Sequence, residues 1–441
     1  MWDNHRLLLV TLGLHASLIL CACNRSVPVE EIHVSQKSID ALASVAPLPD
    51  PTPGNWPWWR GPALDGKALD AGIPQQWGET ENILWKSKVP GREHSTPVVW
   101  NSRAYLTTAN EQEESQRMLC YSLSNGELLW DTPIHQGGFM HTHKKNSQAS
   151  STPACDGERL FVPFMVKQDG VNGIWVSAVD LDGNVVWQTL AGKFTSKHGY
   201  GSSPVLYKSL VIVSGDNGPS GFLAALDRAT GEIRWRIRRP EMYSFASPVI
   251  ATLAGRDQLL IHGTQQVASY DPSTGEEIWH CAGPAQTCAN TMVFDDQKVY
   301  ASGGWPEKEL LAIRADGSGD VTDSHIAWTS KQAVSYVPSM LVHRGQLFSV
   351  SDQGIAMCYN AANGDVVWKK RLGGNFSASP LLVEDNIYVP DEAGKLHVFK
   401  ASDKFEHVAI NDLKDGGFAT PVVAGGRIYL RTLHFLYCIG S

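Results

Sequence analysis

The sequence predicts an all-β fold: an eight-bladed β-propeller of four-stranded antiparallel blades, closed by an N-terminal strand pairing in the last blade. Three observations predict it. A phrase of the form Asp-x-x-Thr-Gly-x-x-x-Trp recurs along the 441-residue chain. A small residue followed by proline and an apolar run returns between successive tryptophans. Helical periodicity is missing from the whole repeating region.

The phrase is fullest at Leu226–Trp235 and returns at Tyr270–Trp279, Tyr359–Trp368 and Leu123–Trp130, with a shortened copy at Asp180–Trp187. A unit repeated in this way cannot bury its own apolar face, so neighbours must stack or close into a ring. The second mark is Thr96-Pro97, Thr152-Pro153, Ser203-Pro204, Ser247-Pro248, Ser379-Pro380 and Thr420-Pro421, with Thr291-Met292 and Ser339-Met340 holding the same place. Successive marks are 56, 51, 44, 44, 48, 40 and 41 residues apart. Propeller blades run about 40–50 residues, so each step is one blade, some with a longer loop.

Each unit reads as four short strands. Pro421–Ala424 and Arg427–Leu430 flank Gly425-Gly426, a two-residue hairpin signal. Val398-Phe399 and the segments ending in tryptophan supply third and fourth strands. Trp85, Trp130, Trp187, Trp235, Trp279, Trp328 and Trp368 hold equivalent positions and are expected to dock neighbouring blades through their large apolar area. In the seventh unit Phe405-Glu406-His407-Val408 stands in for the tryptophan strand. The two series of marks are out of phase. The fourth-strand series begins at Trp85, before the first Ser-Thr-Pro, and the chain stops on a third strand, Leu436–Ile439. Pairing Trp85's strand outside that last one closes the ring and satisfies an otherwise open edge.

Residues 1–22 read as a lipoprotein signal peptide, with Arg6 ahead of an apolar stretch from Leu7 to Leu20 that is short for a membrane span. Leu20-Cys21-Ala22-Cys23 resembles the lipobox of bacterial lipoproteins, which makes Cys23 the expected acylation site; an ordinary secretory signal is the alternative. Residues 23–54 are a flexible Pro/Ser-rich tether, and 55–441 the propeller. The expectation is an exported, periplasm-facing protein held to the envelope through its lipid alone, with Asn24 compatible with outer-membrane sorting. A net charge of −8, spread along the chain, gives no footprint for nucleic acid.

These repeats resemble the pyrroloquinoline-quinone-type repeat of eight-bladed propellers, a family that holds quinoprotein alcohol dehydrogenases and BamB-like lipoproteins of outer-membrane barrel assembly. The opening Asn55-Trp56-Pro57-Trp58-Trp59-Arg60-Gly61-Pro62 is similar to the start of BamB-like propellers of planctomycete-type bacteria, as are Lys145-Asn146-Ser147 and Ser151–Arg159. Resemblance to the dehydrogenases would imply an adjacent cysteine pair, carboxylate and amide ligands to calcium, and an aspartate base. No Cys-Cys dipeptide occurs, no loop offers a dense set of oxygens, and Asp216-Asn217-Gly218 and Asp352-Gln353-Gly354 read as turns. Neither pyrroloquinoline quinone nor calcium is expected, and no catalytic residue is assigned.

With strands running A to D outward, the D-to-A connections and B-to-C turns share one face, opposite the Thr-Gly-Glu turns. That face carries Arg92, His94, His141, His143, Lys144, Asn146, His198, Tyr200, Tyr243, Asn290, Tyr336, Asn375 and Phe418. A basic, aromatic mouth suits an envelope protein partner, or an anionic or polymeric ligand; a plain solvated rim is the alternative. His141-x-His143 completes no recognised metal spacing, so no metal site is expected. Cys281 and Cys288 form the candidate disulfide, with buried thiols equally compatible. The function expected is a non-enzymatic, lipid-anchored scaffold; a quinone-dependent oxidoreductase and a polymer- or carbohydrate-binding sensor are the alternatives.

Overall fold

The computed structural model describes residues 30–33, 47–50, 52–92, 94–218, 220–332 and 334–441. The expected signal peptide 1–22 and Cys23 lie outside the described residues. Eight antiparallel sheets form the blades, seven of four strands and one that gains a fifth. Blade one is Val98–Trp100, Arg103–Asn110, Ser115–Ser122 and Leu128–Gln136, in that order from the axis outward. The last blade is Val422–Ala424, Arg427–Arg431 and Phe435–Ile439, with Ile83–Lys88 as its outer strand. That outer strand pairs antiparallel from Ile83 opposite Ile439 to Lys88 opposite Phe435, so the ring closes as the offset of the two repeat series requires.

Why the repeat combines glycine with tryptophan is visible at five of the blade boundaries. The Trp187 indole N–H donates to the Arg228 carbonyl of the next blade at 3.1 Å, and Trp85, Trp130, Trp235, Trp328 and Trp368 make the same bond to Leu123, Leu181, Pro272, Ala361 and Ser402. The glycine of the next blade's C-to-D turn lies flat on the ring. A Cβ built on Gly231 would stand 2.6 Å from the Trp187 ring, and Gly126, Gly275 and Gly364 are as close to Trp85, Trp235 and Trp328. Gly231 also sits at φ +74°. Gly231→Ala is therefore expected to cost at least ~2 kcal/mol, from the left-handed backbone and the forced ring shift together; urea unfolding measures it. Trp279 departs from the pattern: its N–H donates at 2.7 Å to Gln258 of its own blade, because the next blade has no Thr-Gly turn at that place.

The seventh blade differs from its expected form. Its outer strand is His407–Asp412, and Ala409, opposite Val398, stands where tryptophan stands elsewhere. Phe405 precedes the strand and packs on Trp368, ring centroids 5.3 Å apart. The absent indole is supplied from far away in sequence. Trp77 stacks on Tyr388 at 6.4 Å and 8°, and its backbone N–H donates to the Asn411 side chain. Trp85 on Tyr429 and Trp130 on Tyr105 make the corresponding contact at 6.0 and 5.9 Å.

Trp77 belongs to a strap that crosses the base of the ring before the first blade strand. Trp56 bonds with Val99 of blade one, and the Pro57 carbonyl accepts from Cys155 of blade two. Arg60 is buried and reaches the Met340 and Pro380 carbonyls at 2.6 and 3.0 Å, bridging blades six and seven. Upstream, Ile32 pairs with Arg236 on the outer edge of blade three, inside the stretch expected to be a tether.

All six cysteines among the described residues, Cys281 and Cys288 included, are free and buried. This corrects the candidate disulfide. Cys281 lies in the core between blades four and five, whereas the Cys288 thiol faces the Gly263 carbonyl at 3.6 Å. Burial pushes both thiols up to about 12.

Candidate functional site

The residue before each proline or methionine mark carries a hydroxyl in every blade, and these eight hydroxyls encircle the axis. Thr96 N–H donates to Thr152 Oγ1 at 3.0 Å, Thr152 to Ser203 and Ser203 to Ser247. Thr291 donates to Ser339, Ser339 to Ser379 and Ser379 to Thr420, all within 3.0 Å. Each bond joins consecutive blades, so the mark that sets the period also fastens the innermost strands. Above the ring opens a cavity of about 560 Å³ that all eight residues line. Below it Trp59 closes the channel, its indole N–H on Thr291 Oγ1 at 2.7 Å.

The D-to-A and B-to-C loops share the mouth of this cavity, as the strand order requires. His94, His143, Asn146, His198, Tyr336, Asn375 and Phe418 all line it. Three other expected residues do different work. Tyr200 is buried, its hydroxyl donating to the Ser214 carbonyl at 2.9 Å. Asn290 is buried and donates to Ser302, Ser335 and Tyr336, holding two loops together. Arg92 donates to the Lys144 carbonyl and pairs with Glu111 at 3.4 Å, which leaves it at the rim. Lys144 and His141 are exposed loop residues and do not line the cavity, and Tyr243 stands outside it, 46% exposed.

The mouth is not simply basic. Glu392, from a B-to-C turn, accepts from Ser377 at 2.7 Å and pairs with Lys145 at 3.2 Å across the opening. Asp352, from the equivalent turn one blade earlier, accepts the Tyr336 and Val337 N–H groups at 2.9 and 3.1 Å. Asp352 lies in a triplet read only as a turn and Glu392 was not singled out; the topology that places B-to-C turns on this face is what brings both to the mouth. The other turn-like triplet behaves differently from expectation: Asp216 is buried in an ion pair with Arg239 at 3.0 Å.

Several histidines on this side titrate below the ordinary imidazole value. His94 packs on Phe418 at 4.4 Å, and burial, followed by Arg92 and Arg431, pushes its pKa down to about 3. His198 stacks near His143 and Phe245, and is lowered by burial and then by His143, Lys197 and His141. Burial also brings His135 and His262 down to about 4. An unfolded imidazole takes a proton near pH 6.5, so unfolding takes up protons below that pH. The contribution of the buried His94, His135 and His262 is whole above pH 6.5 and is lost as pH falls towards 4, at roughly 1 kcal/mol per pH unit for each of these three. Thermal melts at pH 7 and pH 5 are expected to show the loss, and His262→Gln to make it shallower.

Among the described residues no three His, Cys, Asp or Glu side chains converge as metal ligands. The two carboxylates in the cavity are committed to backbone N–H groups and to Lys145, and the buried cysteines stand singly. The donor set does not fit a calcium-bound quinone.

The outer part of the same face carries a feature that sequence reasoning missed. Asn217 pairs with Tyr243, Ser244 with Cys288, and Thr287 with Trp305, so loops of blades three, four and five are knit into one ledge by backbone bridges. On it Trp305 is 61% and Tyr243 46% exposed. Trp305 lies outside the repeating tryptophan positions, which was the available signal.

Comparison with known proteins agrees with this geometry. A family model described as outer membrane protein assembly factor BamB matches residues 78–237, 182–370, 320–404 and 358–434. The outer membrane protein assembly factor BamB of Moranella endobia (strain PCIT) is 23% identical over 343 residues, covering 76% of this chain and 82% of that protein. That of Shewanella oneidensis is 23% identical over 330 residues, 70% and 75% of the two chains. Among solved structures, BamB from Moraxella catarrhalis superposes with a TM-score of 0.57 at 14% identity, covering 81% of this chain and 99% of that one. Quinohemoprotein alcohol dehydrogenase from Comamonas testosteroni gives 0.61 at 12% identity, with 92% and 82% covered. At such identities the structures speak for the fold alone. Because the family model spans most of the sequence, the chain belongs to the family of the outer membrane protein assembly factor BamB.

Proposed function

We propose that this protein is a non-enzymatic, lipid-anchored scaffold that serves outer-membrane protein assembly by docking an envelope protein partner on its D-to-A loop face. The observation that carries the reading is the ledge of blades three to five, where two large aromatic side chains stand exposed on loops braced by backbone bridges. Rigid aromatic anchors bury much area at little entropic cost, and such residues dominate binding energy at interfaces. The relatives' role in assembly supports a protein as the partner. Family membership supports the envelope as its place, with Cys23 as the acylated residue.

The experiment is affinity capture from a solubilised envelope. Trp305→Ala is expected to weaken the partner's binding about 10- to 100-fold, as for a central anchor, while leaving melting unchanged because the side chain is exposed. Undiminished capture by a Trp305→Ala, Tyr243→Ala double variant contradicts the reading. A second reading, a polar or polymeric ligand in the mouth, is favoured by the hydroxyl-ringed cavity of about 560 Å³. His143→Ala or Asn375→Ala would then abolish capture of a ligand that Trp305→Ala leaves bound.

A further inference from the structure

A propeller's outer strands are open edges, and among the described residues two of the eight are covered. Gly319–Asp320 lies parallel along the outer strand of blade four. The other cover comes from the N-terminal stretch. Ile32 N–H donates to the Arg236 carbonyl at 2.8 Å, and Arg236 N–H returns a bond to Ile32 at 2.9 Å, the reciprocal pair of an antiparallel ladder. Side chains extend the seam. Arg236 Nε donates to the Glu30 carbonyl at 2.8 Å and its Nη1 to Ala191 of blade two at 3.0 Å, while the Arg238 N–H donates to Glu31 at 3.1 Å. Strand addition of this kind holds a segment by its main chain, and Arg236 sets its place, since the corresponding position is Ile410 in blade seven and Gln188 in blade two.

The consequence concerns how the protein stands on its membrane, and it rests on the acylation of Cys23 proposed above. We infer that Glu30–His33 is a docking strand that shortens the anchor leash and turns the outer edge of blade three towards the lipid surface. Six residues separate Cys23 from Glu30, so the acylated cysteine lies within about 25 Å of that edge. Without the docked strand the leash would run to Leu48, which packs on the core of blades two and three, and would reach about 85 Å, enough for the propeller to tumble. The antiparallel register places Glu30 beside Arg238, so the leash leaves blade three towards the D-to-A side. The loop face is then carried roughly at right angles to the bilayer, open to partners alongside.

The test uses the full-length acylated chain in phosphatidylethanolamine–phosphatidylglycerol vesicles containing a spin-labelled lipid. A fluorophore is attached at Glu241→Cys beside the docked strand, or at Ile410→Cys on the opposite blade; the native cysteines are buried and stay unlabelled. Quenching at 241 and none at 410 is expected. Ile32→Pro, which removes the donating N–H, is expected to abolish that contrast without releasing the protein from the vesicles. Equal quenching at both sites, or an unchanged contrast in Ile32→Pro, overturns the inference. Amide exchange at Arg236 separates the two ways of failing. A protein that does not bind vesicles while its Arg236 amide stays protected refutes the lipid anchor, whereas an unprotected Arg236 amide in the wild-type chain refutes the docked strand itself.

Discussion

Deleting Ile83–Lys88 is expected to abolish cooperative folding rather than trim one edge. This strand is the outer member of the last sheet, paired along its length with Phe435–Ile439. It is also the joint to the first blade, because the Trp85 N–H donates to Leu123 at 2.9 Å and Gly126 lies on the Trp85 ring. Its loss uncovers Tyr429, opens an edge in the last blade and removes a boundary contact that every other blade retains in some form. Trp85→Ala alone is expected to cost about 3–5 kcal/mol, from lost burial and the cavity left behind. A domain's whole net stability is only about 5–15 kcal/mol, so losing the indole and the strand's ladder together exceeds it. Near-ultraviolet circular dichroism is expected to lose its melting transition in the deletion and to keep it, at lower temperature, in Trp85→Ala.

Arg239→Met is expected to be the most damaging single substitution away from the ring closure. Arg239 and Asp216 are both fully buried, with Nε 3.1 Å from each carboxylate oxygen, and Nη1 donates to Tyr270 of blade four at 2.8 Å. Removing the guanidinium strands the carboxylate and the Tyr270 hydroxyl without a partner in an apolar boundary. Breaking such a buried pair from one side costs about 3–5 kcal/mol, whereas replacing both charges is close to neutral. Adding Asp216→Leu to Arg239→Met is accordingly expected to recover most of the loss in urea unfolding. A double variant as unstable as the single one would mean that packing, not the unpaired charge, sets the cost.

Much of the architecture was legible because the repeat writes the same physical demand eight times. Tryptophan and the following blade's glycine recur together since one must lie on the other, and the offset between the two series revealed the shared last blade. Where a blade solved the demand differently, the pattern misled. Ala409 gave no hint that Trp77 fills its place, because the contact joins residues more than 300 positions apart. The candidate face was correct as a face, but its chemistry was not. Repeats point to D-to-A loops, so Asp352 was read only as a turn residue, Glu392 was not singled out, and the mouth was expected to be basic. Tyr200 and Asn290 looked available in sequence and are spent on buried hydrogen bonds. The hydroxyls before each proline were read as punctuation, and their place at the channel follows only from the inward position of the first strands.

The central claim is that a sealed ring offers one loop face to a protein partner. Photo-crosslinking in the native envelope tests it most directly, with a photoreactive residue placed at Trp305 on the ledge or at Asn125 in a C-to-D turn on the opposite face. A discrete adduct with one envelope protein from position 305 and none from 125 is the result predicted. Adducts from 125 alone, or the same adducts from both positions, would contradict it.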